Sequence, residues 1–206
     1  MDVCPWGLTT RGLSGNLGVT YSGLPTLRPD HKEPTVPDSR PSMYRVLIQG
    51  SLSDVWNEIT RTDAPIAAFF NNQMHCRELK PGSKLAMRSP NGKYTGVVGE
   101  IIDFDPMTRF SHTFRFTNFE DPPCKVIYEL EEVQGGVQFT LTVEDAPAGT
   151  KTEKQMAQGG KMIVGTLKSV IETGKPSFGI RMLYGLFKVM EPFSPKRCLS
   201  ENWPID

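Results

Sequence analysis

No run of this 206-residue chain is apolar over the roughly 18–20 positions that a membrane-crossing helix needs, so no transmembrane segment is expected. Neither sign of charge dominates: 23 acidic side chains balance 23 basic ones, with no cluster of Lys and Arg. A nucleic-acid surface draws its affinity from such a cluster, and that partner is not expected either. Histidine is scarce. His31 lies in the N-terminal stretch, and His75 adjoins Cys76, which on a strand sends the two side chains to opposite faces. With no HExxH and no CxxC spacing, no metal centre is predicted. The four cysteines (Cys4, Cys76, Cys124, Cys198) are scattered, and no secretory apolar segment opens the chain. They read as reduced thiols in a cytoplasmic protein. A GxxxxGK[ST] loop, a strand–GxGxxG–helix unit and a GxSxG elbow are missing as well. Nucleotide phosphates have no cradle, a serine nucleophile has no elbow, and no cofactor is predicted.

Turn chemistry, by contrast, is plentiful. Pro90-Asn91-Gly92, Asp105-Pro106-Met107-Thr108, Asp121-Pro122-Pro123 and Gln134-Gly135-Gly136 punctuate residues 83–146. Asn-Gly and Gly-Gly between apolar alternations supply the positive φ of tight hairpins, and the segment reads as four strands in a row. Phe110, His112, Phe114 and Phe116 share one face, with Ser111, Thr113 and Arg115 on the other. Val126, Tyr128 and Leu130 oppose Glu129 and Glu131; Val137, Phe139, Leu141 and Val143 oppose Gln138, Thr140, Thr142 and Glu144. After Gly149, a helix carries Met156, Gly160, Ile163, Leu167 and Val170 or Ile171 along one stripe and ends at Gly174, with Pro176 beyond. Gly159-Gly160 reads as close packing of that helix on the sheet.

Ahead of these strands, Tyr44–Ile48 reads as a strand, and Ser53 as the N-cap of a short helix carrying Val55, Trp56 and Ile59. Pro65 opens a second short helix through Phe69 and Phe70; Met74–Lys80 and Ser83–Ser89 are further strands joined by Pro81-Gly82. Residues 1–42 hold six prolines and five glycines without periodicity and read as a disordered or extended leader, unless Met43 is the start of translation. The predicted fold is α+β: over 43–174 an antiparallel sheet wraps around a long C-terminal helix. Residues 175–206 add an amphipathic helix and a tail.

That order of elements resembles the helix-grip superfamily, also called START-like or SRPBCC. The local wording is similar to its heat-shock-protein ATPase activator-like family. Asp105-Pro106-Met107-Thr108-Arg109-Phe110-Ser111-His112-Thr113-Phe114 resembles that family's D-P-P-R-R-L-V-x-T-W stretch. Val126-Ile127-Tyr128-Glu129-Leu130 and Gly136-Val137-Gln138-Phe139-Thr140-Leu141-Thr142 resemble its paired strands, and Gly159-Gly160 with Leu167-Lys168 and Glu172 its terminal helix. Phe114 stands where the family usually has Trp. The resemblance covers residues 43–174 and implies the fold. For function it leaves ligand carriage, chaperone binding and cyclase-type catalysis open.

A helix laid on a curved sheet leaves a hollow, and the residues facing it are Met87, Phe110, His112, Phe114, Tyr128, Ile163 and Leu167. The expected function is a non-catalytic module that holds a small hydrophobic molecule there. His112 is a polar anchor for that ligand, a core histidine satisfied by a neighbour such as Tyr128, or a strand-edge histidine facing water. A cyclase or aromatase would use the same pair as acid and base, and a co-chaperone would bind its partner through the surface. On the extension, Met182, Leu183, Leu186, Phe187 and Met190 form an apolar face over 178–191, capped by Ser177 and stopped by Pro192. It is expected to dock on the domain or on a second copy of it rather than on a membrane, because only Arg181 and Lys188 supply positive charge.

Overall fold

The computed structural model describes residues 41–205, so the leader expected over 1–42 lies outside the described residues except for its last two positions. Seven strands form one sheet: β1 (Ser42–Ile48), β2 (Gln73–Cys76), β3 (Lys84–Arg88), β4 (Thr95–Asp105), β5 (Arg109–Phe116), β6 (Cys124–Val133) and β7 (Gly136–Glu144). Their order is β1-β7-β6-β5-β4-β3-β2, with every neighbouring pair antiparallel. Strands β2 to β7 therefore form a meander, and β1 returns to pair with the last strand. Between Ser83 and Ala146 there are five strands, not four, because four turns join five strands. The Asp121-Pro122-Pro123 turn is the end of a longer connection, residues 117–123, since two consecutive prolines cannot donate to a ladder.

Among the described residues three α-helices complete the fold: α1 (Leu52–Thr60), α2 (Lys151–Thr173) and α3 (Phe178–Met190). Ser51, rather than Ser53, caps α1: its hydroxyl accepts from the Asp54 N–H at 3.1 Å, two residues earlier than expected. The helix predicted from Pro65 shrinks to a single tight turn, Ala67–Phe69, closed by Phe70 in the left-handed region with φ 56°. The strand predicted over Met74–Lys80 stops at Cys76.

The alternation on β5, β6 and β7 buries the faces predicted for them. Phe110, Phe116, Val126, Tyr128, Leu130, Val137, Phe139, Leu141 and Val143 join one core with Ile48, Val55, Trp56 and Ile59. α2 lies across this face with Met156, Gly160, Val164 and Leu167 buried. Gly160 is the point of closest approach: a Cβ there would sit 2.2 Å from the Tyr44 ring, and the Tyr44 hydroxyl donates to the Ala157 carbonyl at 3.2 Å. β1 is tied to α2 by two more bonds, Lys168 Nζ to the Leu47 carbonyl (2.6 Å) and the Gln49 N–H to Glu172 Oε1 (2.8 Å).

The C-terminal extension docks, but not with the whole face expected. Phe187 is buried and the Tyr184 hydroxyl donates to the Ala67 carbonyl at 2.6 Å, so Tyr184, which is not among the five residues of the expected apolar face, turns inward. Met182 and Leu186 point outward. With Phe178, Val189 and Phe193 they stand 53–78% exposed. Apolar residues almost encircle α3, and the inner contact is made by the arc that offers both a large ring and a hydroxyl that reaches the Ala67 carbonyl. Beyond α3 the tail returns to the sheet. Leu199 bridges to Tyr94, the Trp203 indole donates to the Arg197 carbonyl (2.7 Å), and the Arg115 guanidinium lies 5.1 Å from its ring centre.

Candidate functional site

Between the inner face of the sheet and α2, packing leaves a cavity of about 70 Å³. β5 sends His112, Phe114 and Phe116 into it, β6 sends Val126 and Tyr128, and β7 sends Leu141 and Val143. Met87 closes the side towards β3, Gln155, Met156 and Ile163 descend from α2, and Phe69, Phe70 and Asn72 come from the tight turn. Among the described residues no Lys, Arg, Asp or Glu lines it.

The polar centre of this wall is His112, 1% exposed. Its Nδ1 lies 2.7 Å from the carbonyl oxygen of Thr113. A carbonyl can only accept, so Nδ1 carries the proton and Nε2 keeps its lone pair. Burial pushes the imidazole down to about 4, and the ring is neutral at physiological pH. Nε2 itself is buried and has no hydrogen-bond partner among the described residues.

Local backbone geometry makes this arrangement. The Thr113 carbonyl turns towards the ring at the place where Gly99 crosses on β4; a Cβ on Gly99 would stand only 1.9 Å from that oxygen. With this carbonyl engaged, the Glu100 N–H takes the Thr113 hydroxyl instead, at 2.8 Å. Gly99 is needed for the approach, and Thr113 for the substitute bond.

Two more residues of the wall, Asn72 and Gln155, carry buried acceptors. Asn72 spends its amide N–H on the Phe69 carbonyl (2.9 Å), which fixes its orientation and leaves Oδ1 buried and unpaired. Gln155 Oε1 is likewise buried without a partner. Tyr128 is buried too, and desolvation raises its phenol well above the usual range, so its hydroxyl stays protonated. Its ring lies 5.8 Å from that of His112, but the histidine hydrogen bond goes to Thr113 rather than to Tyr128. Rings stack around the pair: Phe110–Tyr128 at 5.7 Å, Phe69–Tyr128 at 5.3 Å and His112–Phe114 at 6.2 Å between centres.

Of the residues expected to face the hollow, Met87, His112, Phe114, Tyr128 and Ile163 surround the cavity. Phe110 and Leu167 do not: both are fully buried in the packed core beside it. They share a face with cavity residues, but each is covered by neighbours, Phe110 by the rings of Phe104 and Tyr128. Sequence reasoning missed Asn72, Gln155 and Gly99. Asn72 follows an aromatic pair and Gln155 lies in the largely polar opening turns of α2, and nothing local marks either. Gly99 was readable as one of two glycines, with Gly96, inside a strand. Among the described residues no group of His, Cys, Asp and Glu is placed to hold a metal ion.

Residues 49–172, more than half of the chain, match the family model described as Activator of Hsp90 ATPase homolog 1-like protein. The chain belongs to that family. No curated protein matches it in sequence. Solved structures similar to this AHSA1-like chain include DynU16, from the dynemicin biosynthetic locus (20% identity, TM-score 0.54, covering 68% of this chain and 49% of DynU16). They also include the Aha1 dimer of Colwellia psychrerythraea (16%, 0.54, 66% and 98%) and CalU16 of Micromonospora echinospora (18%, 0.51, 72% and 84%). The match spans about half the length of DynU16. At these identities the likeness shows the helix-grip fold and nothing finer. No helix among the described residues is long and apolar enough to cross a membrane.

Proposed function

We propose that this protein is a binding module that holds one small, largely apolar molecule between the sheet and α2. The observation that carries the reading is the unpaired Nε2 of His112 in a wall otherwise built of rings and aliphatic groups. A buried polar atom without a partner costs about 1–3 kcal/mol, and a ligand is one way of recovering that cost. As it stands, the cavity is smaller than the roughly 300 Å³ at which pockets for drug-sized ligands begin. Phe70 is the wall that can enlarge it. It lines both this cavity and a neighbouring cleft of about 330 Å³ beneath Tyr184 and Phe187 of α3. Its left-handed backbone is strained for so bulky a residue, by about 1–3 kcal/mol. Swinging that ring aside would join the two spaces and bring them into the range of ligand pockets.

Titration with N-phenyl-1-naphthylamine, a neutral polyaromatic fluorophore, tests the reading. Saturable 1:1 binding in the wild type and its loss in Ile163→Trp, which fills the cavity, are expected. If the probe fails to bind, or binds Ile163→Trp equally well, the module does not use this cavity. A second reading, a co-chaperone acting through its surface, is supported by the family match alone. Stimulation of an Hsp90-type ATPase by the purified protein, unchanged in Ile163→Trp, would favour it over ligand holding.

A further inference from the structure

We propose that the molecule held in the cavity is a neutral hydrogen-bond donor, a phenol or another hydroxylated ring compound, whose O–H points at His112 Nε2. The inference rests on the ligand-holding reading above and specifies the chemistry of that same site.

Two buried polar atoms of this wall are fixed as acceptors and lack a proton to accept. The Thr113 carbonyl takes the one proton of the neutral imidazole, so Nε2 can only accept. The Phe69 carbonyl takes an amide proton of Asn72, so its Oδ1 can only accept. Both atoms are buried and unpaired. A ketone or aldehyde oxygen could take the Tyr128 hydroxyl proton, but it would leave both of these acceptors unpaired and stripped of water. A fatty-acid carboxylate fares worse, because no Lys or Arg lines the cavity to offset its charge. A hydroxyl supplies the missing proton and brings no net charge. The rings of Phe69, Phe70, Phe114, Phe116 and Tyr128 offer offset and edge contacts that an aromatic body exploits better than an alkyl chain. A site built to accept a hydroxyl proton also discriminates strongly, since an analogue without that proton leaves the site's own polar atoms unpaired.

The test uses the full chain and three probes of similar size: phenol, benzaldehyde and toluene. Long-range ¹H–¹⁵N correlation on the wild type first reads the tautomer. A protonated Nδ1 and a bare Nε2, with the Nε2 signal moving on addition of phenol but not of toluene, are expected. A protonated Nε2 overturns the inference. Calorimetric titration then compares affinities: phenol should bind at least about tenfold more tightly than benzaldehyde, and His112→Leu should reduce that ratio to about threefold or less. Benzaldehyde binding as tightly as phenol, or an unchanged ratio in His112→Leu, overturns the inference while leaving the ligand-holding reading intact. Failure of all three probes to bind at millimolar concentration overturns that reading, and the inference falls with it. The tautomer measurement needs no variant, so a His112→Leu protein that fails to fold does not shelter the proposal.

Discussion

His112 stores a pH dependence in the fold as well as marking the site. Its folded value is depressed to about 4 from the ordinary 6.5, so the unfolded chain binds a proton more readily than the native one. The stability due to the neutral buried ring is therefore complete above pH 6.5. It is lost as pH falls from 6.5 towards 4, and below that the difference no longer grows. At 1.36 kcal/mol per pH unit the loss is of order 3 kcal/mol. Denaturant melts of the wild type between pH 7 and pH 4 should show it, and His112→Leu should have a flatter profile over the same window. An identical slope in both proteins would mean that the ring is not buried and neutral. The sequence made much of this residue legible: alternation on β5 put His112 on the inner face among phenylalanines. It could not reveal the partner, because a backbone carbonyl one residue away has no sequence signature. Asn72 and Gln155 stayed hidden for a related reason. Their depth depends on how α2 and the Ala67–Phe69 turn meet in space, and no local periodicity records that.

The elements divide along the same line. Strands β5, β6 and β7 and helix α2 were legible because each must bury one periodic face, and the turn residues between them fix where each begins. The short second helix was misjudged because Pro65 is as compatible with a turn as with a helix start. α3 was read as a helix correctly but with the wrong inner arc: an element apolar on nearly every side carries no pattern that says which side packs. The consequence can be measured. Replacing Leu186 and Val189 together by Gln should leave the melting temperature within about 2 °C, since exposed positions are worth at most a few tenths of a kcal/mol. Phe187→Ala removes a buried ring at a cost of about 3 kcal/mol, which corresponds to roughly 6–12 °C. If differential scanning calorimetry gives the double variant the larger loss, α3 docks through its other face.

At the scale of the whole molecule, the meander and the returning strand have different histories. β2 to β7 pair with neighbours a short loop away, whereas Ser42 of β1 pairs with Val143 of β7. Contacts so distant along the chain are entropically slow to close. We expect Ile48→Val, in the fully buried end of β1, to cost about 1 kcal/mol and to appear as faster unfolding with an almost unchanged folding rate. Stopped-flow chevrons decide it; a folding rate that falls by the full amount would place β1 in the transition state. On a ribosome the same connectivity has a further effect. The strand that emerges before the rest of the sheet has no partner until β7 has been translated, and no helix to rest on until α2 has cleared the exit tunnel. For most of synthesis Tyr44, Val46 and Ile48 are sticky and alone, so the nascent chain's exposure to chaperones is set by its first strand and ended by its last.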